Sequence, residues 1–458
     1  MPDTTATDLS SLRHNLDGAV FLPGDDGWDD ARRAWNLSVD QRPAAVVQAA
    51  DAADVARVVD FARERGLRVA PQSTGHGAGC MAPLTDTILL RTGGLDGVEI
   101  DAPGRRARIG SGVLAADVAV AAGEAGLAAL LGSSPDTGVT GFTLGGGVGW
   151  LGRRYGLACN SVHAIEIVTA DGQQRRVDAD NDPDLFFALR GGGGGSFGAV
   201  TALEIELYPV SEVYAGMVAW PGEMGSEIAH AYREWLPGAP DEITAQLRFM
   251  TLPPLPDLPE PLRGKSLVDV TAAFIGDPAA GEELMRPLRE IEGAVWDTWA
   301  VQPAPALRQL GMDPEEPVPG MGDSVTLGEL TPEAVDALVA LVGAGADSPL
   351  MGVQVRQLGG AYGREDENAG ALPKLDAEHI VFGVGALFDP AARTPIESYI
   401  DKVQEELAPY SPGRRVLNFS DRPGDVAAGF PPEVWERLVA IRAQYDPAGM
   451  FVASQQVG

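Results

Sequence analysis

The chain has 458 residues, 45% hydrophobic and 22% charged, with a formal net charge of −31 at pH 7. That length exceeds one ordinary core and predicts two compact domains, and no apolar run is long enough to cross a bilayer as a helix. The acidic balance opposes partners that are nucleic acid or anionic membrane, because the long-range field repels phosphates.

The two cysteines, Cys80 and Cys159, make neither a disulfide framework nor a metal-site spacing, so a reducing compartment and no bound metal are expected. The polar start over residues 1–13 lacks the apolar segment of a secretory signal, which makes the cytoplasm the expected location. Lysine occurs only at Lys265, Lys374 and Lys402, and this arginine bias suggests a GC-rich bacterial source. The oligomeric state stays open.

In chain order, residues 1–42 read as a loosely structured entry with a short helix over 28–35. A strand over 45–49 precedes a helix over 51–66, where Val55, Val58, Val59 and Ala62 recur at helical spacing. Asp51 is its N-cap and Gly66 its stop. The strand over 67–71 completes a βαβ unit and delivers the loop Gln72-Ser73-Thr74-Gly75-His76-Gly77. Strands follow over 87–90, 97–101 and 106–110, then an alanine-rich helix over 113–125. Residues 164–177 read as a hairpin turning at Asp171-Gly172. A helix over 184–190 runs into a glycine cluster at 191–195, and a strand over 199–208 closes the region.

From about residue 210 the texture changes to strands separated by amphipathic helices. Ile243, Ala245, Leu247 and Phe249 alternate with Thr244, Gln246 and Arg248, the period of a strand with one apolar face. Residues 268–274, 353–356 and 380–384 alternate likewise, and helices fall over 226–236, 281–291, 332–342 and 395–407. This predicts an antiparallel sheet backed by helices, whose other face carries Thr244, Gln246, Arg248, Asp269, Thr271, Gln354 and Arg356. Such a face is either solvated or the wall of a site. Proline-rich 252–261 and residues 303–322 read as loops, 416–419 as a short strand, and 431–443 as a helix.

Two glycine-rich loops stand out, one around His76 and one over 140–150, Thr-Gly-Phe-Thr-Leu-Gly-Gly-Gly-Val-Gly-Trp. Glycine lets backbone N–H groups approach a phosphate or ring oxygen closely, so both loops read as walls of one cofactor site. Their order, followed by Glu166-Ile-Val-Thr-Ala-Asp-Gly, by Asp184-Leu-Phe-Phe-Ala-Leu-Arg and by the ending Tyr445-Asp446-Pro447-Ala448-Gly449-Met450-Phe451, resembles FAD-linked oxidases of the vanillyl-alcohol-oxidase and p-cresol-methylhydroxylase superfamily. Within it the chain is most similar to the berberine-bridge-enzyme-like branch. The resemblance is close over 42–209 and 415–456 and looser between them.

The resemblance implies an α+β fold in which 1–209 and 414–458 form a PCMH-type FAD-binding domain. Residues 210–413 form an inserted α/β substrate domain, a seven-strand-like antiparallel sheet backed by helices. It implies FAD linked through its 8α-methyl to His76, a bond that raises the flavin's potential and fixes its place. The cofactor contacts it implies are Gln72, Ser73, Thr74, Gly75 and Gly77 in the first loop, and Ser134, Asp136 and Thr137 in the segment that follows. In the second loop they are Gly141, Thr143, Gly145, Gly146, Gly147, Gly149 and Trp150, with Ile167 and Val168 on a strand and Asn418 near the end. Ser134 stands where many relatives carry a second, cysteinyl attachment, so no second link is expected. Thr137 matches a position lining the oxygen-facing side of the ring, which favours O2 as acceptor.

The tyrosine base common in oxidases of the branch is Val416 here, so the proton acceptor is sought elsewhere. Asn418, His379, Tyr362, Gln354 and Arg356 are the catalytic candidates, because the strands starting at Met351 and His379 match those lining the family's substrate site. The implied activity is oxidation of a small organic molecule in secondary-metabolite tailoring, by hydride transfer to flavin N5 with return of the electrons to O2 as peroxide. Rival readings are a flavin-N5-oxygen-dependent oxygenase, a dehydrogenase using another acceptor, and a flavin-bearing protein without turnover.

Overall fold

The computed structural model describes residues 9–458 except 255, 257–259, 261 and 367; the first eight residues of the polar start and part of the proline-rich loop lie outside them. Four strands make the first sheet: β1 (Ala19–Phe21), β2 (Ala45–Gln48), β3 (Arg68–Gln72) and β4 (Thr87–Arg91), in the order β1-β2-β4-β3. Both β2 and β3 run parallel to β4. One face is covered by α1 (Trp28–Arg32) and the other by α2 (Ala52–Arg65). Asp51 caps α2 by accepting from the Asp54 N–H, and Gly66 ends it at φ 63°. Ligands of parallel sheets bind beyond the carboxyl ends of the strands; here β3 ends in the His76 loop and β4 ends at Arg91.

The second sheet is antiparallel and comprises β5 (Val98–Asp101), β6 (Arg106–Gly110), β7 (Val162–Val168), β8 (Gln174–Val177) and β9 (Ala199–Glu206), in the order β5-β6-β9-β7-β8. Around it lie α3 (Ala115–Glu124), α4 (Val139–Leu144) and α6 (Pro183–Gly192), while α5 (Gly152–Tyr155) packs towards the third sheet, Arg153 Nε donating to the Ile243 carbonyl at 2.8 Å. The glycine cluster at 191–195 is where α6 leaves helical geometry, with Gly191 at φ 95°.

Eight strands form the third sheet: β10 (Glu212–Pro221), β11 (Ile243–Thr251), β12 (Ser266–Phe274), β13 (Trp296–Asp297), β14 (Ala300–Pro303), β15 (Gly320–Leu327), β16 (Gly352–Gln357) and β17 (His379–Ala386). Its pairings are all antiparallel. The helices α7 (Gly225–Trp235), α8 (Pro278–Arg289), α9 (Pro332–Val342) and α10 (Arg393–Leu407) bury its apolar face, where Ile243, Leu247, Val270, Val355 and Val381 meet Ile228, Tyr232, Leu338 and Ile400. Each such aliphatic side chain stabilises the fold by about 1.5–3 kcal/mol when fully buried. The polar face is not solvated, since Thr244, Gln246, Arg248, Asp269 and Thr271 are all buried.

After the third sheet the chain returns. The helix α11 (Pro432–Tyr445) places Leu438 and Ile441 in the core of the second sheet beside Leu185 and Leu189. Phe451 then pairs in parallel with Val69 of β3, and the Val69 amide and carbonyl bond to Met450 and Val452 at 3.0 and 2.9 Å.

Four local expectations are corrected. Within residues 1–42, β1 adds an antiparallel edge to the first sheet. The sheet over 212–386 has eight strands rather than seven. The stretch 303–322, expected as a loop, contains a 3-10 helix at Ala304–Gln309 and the start of β15, whose glycines at 320 and 322 break the alternation a strand normally displays. Residues 416–419 are no strand: a 3-10 turn at Leu417–Phe419 closes locally, the Phe419 amide donating to the Val416 carbonyl at 3.0 Å.

Candidate cofactor and substrate site

Beyond β3 the first glycine loop turns at Gly75, φ 92°, and presents His76. The imidazole stacks on Trp35 with centroids 4.0 Å apart, and its Nδ1 is 2.7 Å from Thr74 Oγ1. Its Nε2 lies 3.5 Å from Asp136 Oδ1 and is buried without a hydrogen-bond partner among the described residues. Asp136 also accepts from the Trp35 indole and, at 2.9 Å, from Ser134 Oγ. Burial pushes the Asp136 carboxyl up, but the histidine, Ser134 and Trp35 around it outweigh that and hold it below the usual carboxylate value. The structure thus brings Thr74, His76, Ser134 and Asp136 together, with Trp35 as a member that sequence reasoning missed. Ser73 lies beside Gly138, next to Thr137.

The second glycine loop follows α4. Gly147 has φ 81°, and a side chain at Gly149 would run into the Leu131 carbonyl, so both positions need glycine. Two distant side chains pin this loop. Asn418 accepts from the Gly147 N–H at 2.7 Å and donates to the Phe142 carbonyl at 3.1 Å. The Tyr362 hydroxyl accepts from the Gly149 N–H at 2.8 Å and donates to the Gly149 carbonyl at 2.7 Å. Two buried polar atoms along the loop, Thr140 Oγ1 and Trp150 Nε1, have no hydrogen-bond partner among the described residues.

Facing the loop is the polar side of the third sheet. Arg356 donates from Nε to Gln354 Oε1 at 3.0 Å and from Nη2 to Ser133 Oγ at 2.9 Å. Its guanidinium lies 5.1 Å from the Phe419 ring centroid and 5.9 Å from that of Trp150. Burial lowers its proton affinity from the ordinary arginine value. Its neighbour Arg248 is paired, with Nε 3.0 Å from both oxygens of Asp269, which Thr271 also bonds at 2.7 Å.

Four of the sequence candidates do not present a free side chain to the site. His379 pairs in register with Gln357 and Leu327, one step from the pair Arg356 and Ile380, so its side chain is on the opposite face of the sheet. There Nδ1 is 3.0 Å from the Gly328 carbonyl, and burial pushes its pKa down to about 4. Tyr362 is spent on the glycine loop, and burial raises its hydroxyl further from any role as a base. Ile167 and Val168 put their side chains into hydrophobic cores, leaving only backbone to offer a ligand. Both thiols are pushed up to about 12, chiefly by burial.

Arg91 was not legible in the sequence. It sits at the carboxyl end of β4, in register with Gln72, and donates to the Gln72 carboxamide. Among the described residues no carboxylate pairs with it, and burial pulls it down to about 10. The one available signal was its place at the end of the central parallel strand.

Residues 43–178 match the family described as FAD binding domain. Over 230 residues, half of this chain, the sequence is 36% identical to (R)-6-hydroxynicotine oxidase of Paenarthrobacter nicotinovorans, covering 49% of that protein. It is 26% identical over 277 residues to the FAD-linked oxidoreductase YgaK of Bacillus subtilis, covering 60% of this chain and 59% of that one. The chain thus spans about half the length of these curated relatives. The solved structure of 6-hydroxy-D-nicotine oxidase from Arthrobacter nicotinovorans superposes with a TM-score of 0.83 at 25% identity, covering 95% of this chain and 96% of the other. Berberine bridge enzyme from Eschscholzia californica shares the fold with a TM-score of 0.82 at 18% identity, covering 98% of each chain.

Proposed function

The chain belongs to the FAD-linked oxidoreductases of berberine-bridge-enzyme-like fold, and from that premise we propose that it oxidises a small organic molecule in bacterial secondary metabolism, with O2 as electron acceptor. Residues 1–209 and 414–458 serve as the cofactor domain, and 210–413 as the substrate domain. Bound FAD would supply the hydride acceptor and the chemistry by which O2 is reduced to hydrogen peroxide.

The residues present fit that cofactor. What carries the reading is the set of polar groups around the two glycine loops that the described residues leave incompletely answered: His76 Nε2, 3.5 Å from Asp136 and without a hydrogen bond, Thr140 Oγ1, and Arg91, which pairs with no carboxylate. Buried polar groups are normally bonded, so several orphans along one rim call for a polar ligand. Arg91 suits the pyrophosphate charge. His76, clamped between Trp35, Thr74 and Asp136, is held in one orientation suited to attachment. Asn418 and Tyr362 hold the second loop rigid, while Arg356 and Gln354 orient the substrate from the opposite wall. No cysteine stands at Ser134, so His76 is the single point of attachment.

Acid precipitation tests attachment, and oxygen uptake tests the reaction. The wild-type pellet is expected to stay yellow and the His76→Ala supernatant to take the colour. Turnover is expected to release one peroxide per O2 consumed. A colourless wild-type pellet overturns the link, and incorporation of labelled oxygen into product without peroxide overturns the oxidase.

A further inference from the structure

The two arginines on the polar face of the third sheet are treated differently by their surroundings. Arg248 is neutralised by Asp269 within the protein. Arg356 is not: its two bonds go to the neutral groups of Gln354 and Ser133, its Nη1 has no bond among the described residues, and no carboxylate oxygen comes within 4.0 Å. Asp313 acts on it only through space. A partly buried cation left in this state costs stability unless a ligand answers it.

A second observation points the same way. Gln246 lies directly across from Arg356 in the ladder between β11 and β16, so both side chains emerge on the same face. It is 1% exposed, yet among the described residues neither its Nε2 nor its Oε1 has a hydrogen-bond partner. The Trp150 indole N–H, under the Arg356 guanidinium, is likewise buried and unbonded. A guanidinium edge, an amide N–H and an indole N–H therefore converge without an acceptor, and the bonds to Gln354 and Ser133 already fix the guanidinium's orientation.

We propose that Arg356, Gln246 and Trp150 form a carboxylate-recognition subsite, and that the substrate oxidised at this site is a carboxylate-bearing molecule. A carboxylate offers two acceptor oxygens in the plane that a guanidinium edge matches, and it supplies the missing charge. The inference rests on the oxidoreductase reading for its location, but its test does not require turnover.

Benzoate, with benzamide as its neutral counterpart, is titrated into the oxidised wild-type holoenzyme, following the flavin absorbance and, independently, the heat of binding. Benzoate is expected to bind and benzamide to bind at least tenfold more weakly. Arg356→Met is expected to weaken benzoate about tenfold or more while leaving benzamide unchanged, and Arg356→Lys to restore part of the loss. Asp313→Asn, which removes a competing carboxylate, is expected to tighten benzoate, and Gln246→Leu to weaken it. If Arg356→Met does not fold, the opposite signs of these last two decide the matter. Absence of benzoate binding at tens of millimolar overturns the proposal, as does equal affinity in wild type and Arg356→Met. A change confined to the flavin potential assigns Arg356 to the cofactor and overturns it too. A flavin-free protein defeats the oxidoreductase reading instead, which separates the two failures.

Discussion

Asp421 and His379 pull the pH dependence of stability in opposite directions. The Asp421 carboxyl is pushed up to about 7, first by burial and then by Asp323, against a bond from the Gly322 backbone that favours its charged form. An unfolded aspartate titrates near 3.9, so the folded chain holds an extra proton between about pH 4 and 7. Stability from this group therefore falls as pH rises through that window and levels off above it. His379, pushed down to about 4 by burial despite its bond to Gly328, does the reverse: the unfolded chain binds its proton first, so its contribution rises from pH 4 to about 6.5. Thermal melts of Asp421→Asn, His379→Gln and wild type at pH 5, 6, 7 and 8 separate the two. The advantage of Asp421→Asn over wild type is expected to grow with pH up to about 7, and the deficit of His379→Gln to deepen up to about 6.5. Parallel curves for all three would assign the pH dependence to other groups.

The second glycine loop behaves as an element whose shape is imposed from outside. Gly149 gives both its N–H and its carbonyl to Tyr362, which is 213 residues away, and Gly147 gives its N–H to Asn418, 271 residues away. Removing the Tyr362 hydroxyl strands two backbone groups, a loss of about 1–3 kcal/mol. Urea denaturation of Tyr362→Phe is expected to show that loss, with faster release of flavin in a His76→Ala background; unchanged release would make the pin irrelevant to the cofactor. The sequence marks both pinning residues as notable but assigns them to chemistry, because nothing local shows that a polar group is consumed by a partner hundreds of residues away. Alternation reads the faces of β11, β12 and β16 correctly, since each buries one side against helices, but it inverts β17, where Val381 meets the helices while Ile380 and Phe382 lie on the site face. It misses β15, whose glycines carry no side chain to alternate. The error at His379 is one of parity: Ile380 and Phe382 face the site with Arg356 and Gln354, so the residue before them faces away. Arg91 escapes detection because sequence carries no direct sign of burial.

Across the whole molecule, acidic residues outnumber basic ones by 31, so pairing every arginine and lysine would still leave a repelling excess. Self-repulsion of this kind destabilises a compact state and is screened by salt, the Debye length falling from about 10 Å at 0.1 M to about 3 Å at 1 M. Melting temperature is expected to rise by a few degrees between low salt and 0.5 M sodium chloride; a flat or falling curve would show that specific ion pairs outweigh the net field. The return of the chain to its first sheet has a further bearing, on the order of events in biosynthesis. The strand that delivers His76 is flanked by Met450, Phe451 and Val452, and Asn418 bridges the other loop. At roughly 5–20 residues per second, a ribosome makes the His76 loop within seconds but needs tens of seconds more to make the residues that complete its surroundings. Through that interval the nascent chain has no finished cradle. Completion of the cradle therefore waits on residues made long after His76, and a chain truncated before Asn418 is expected to retain no flavin.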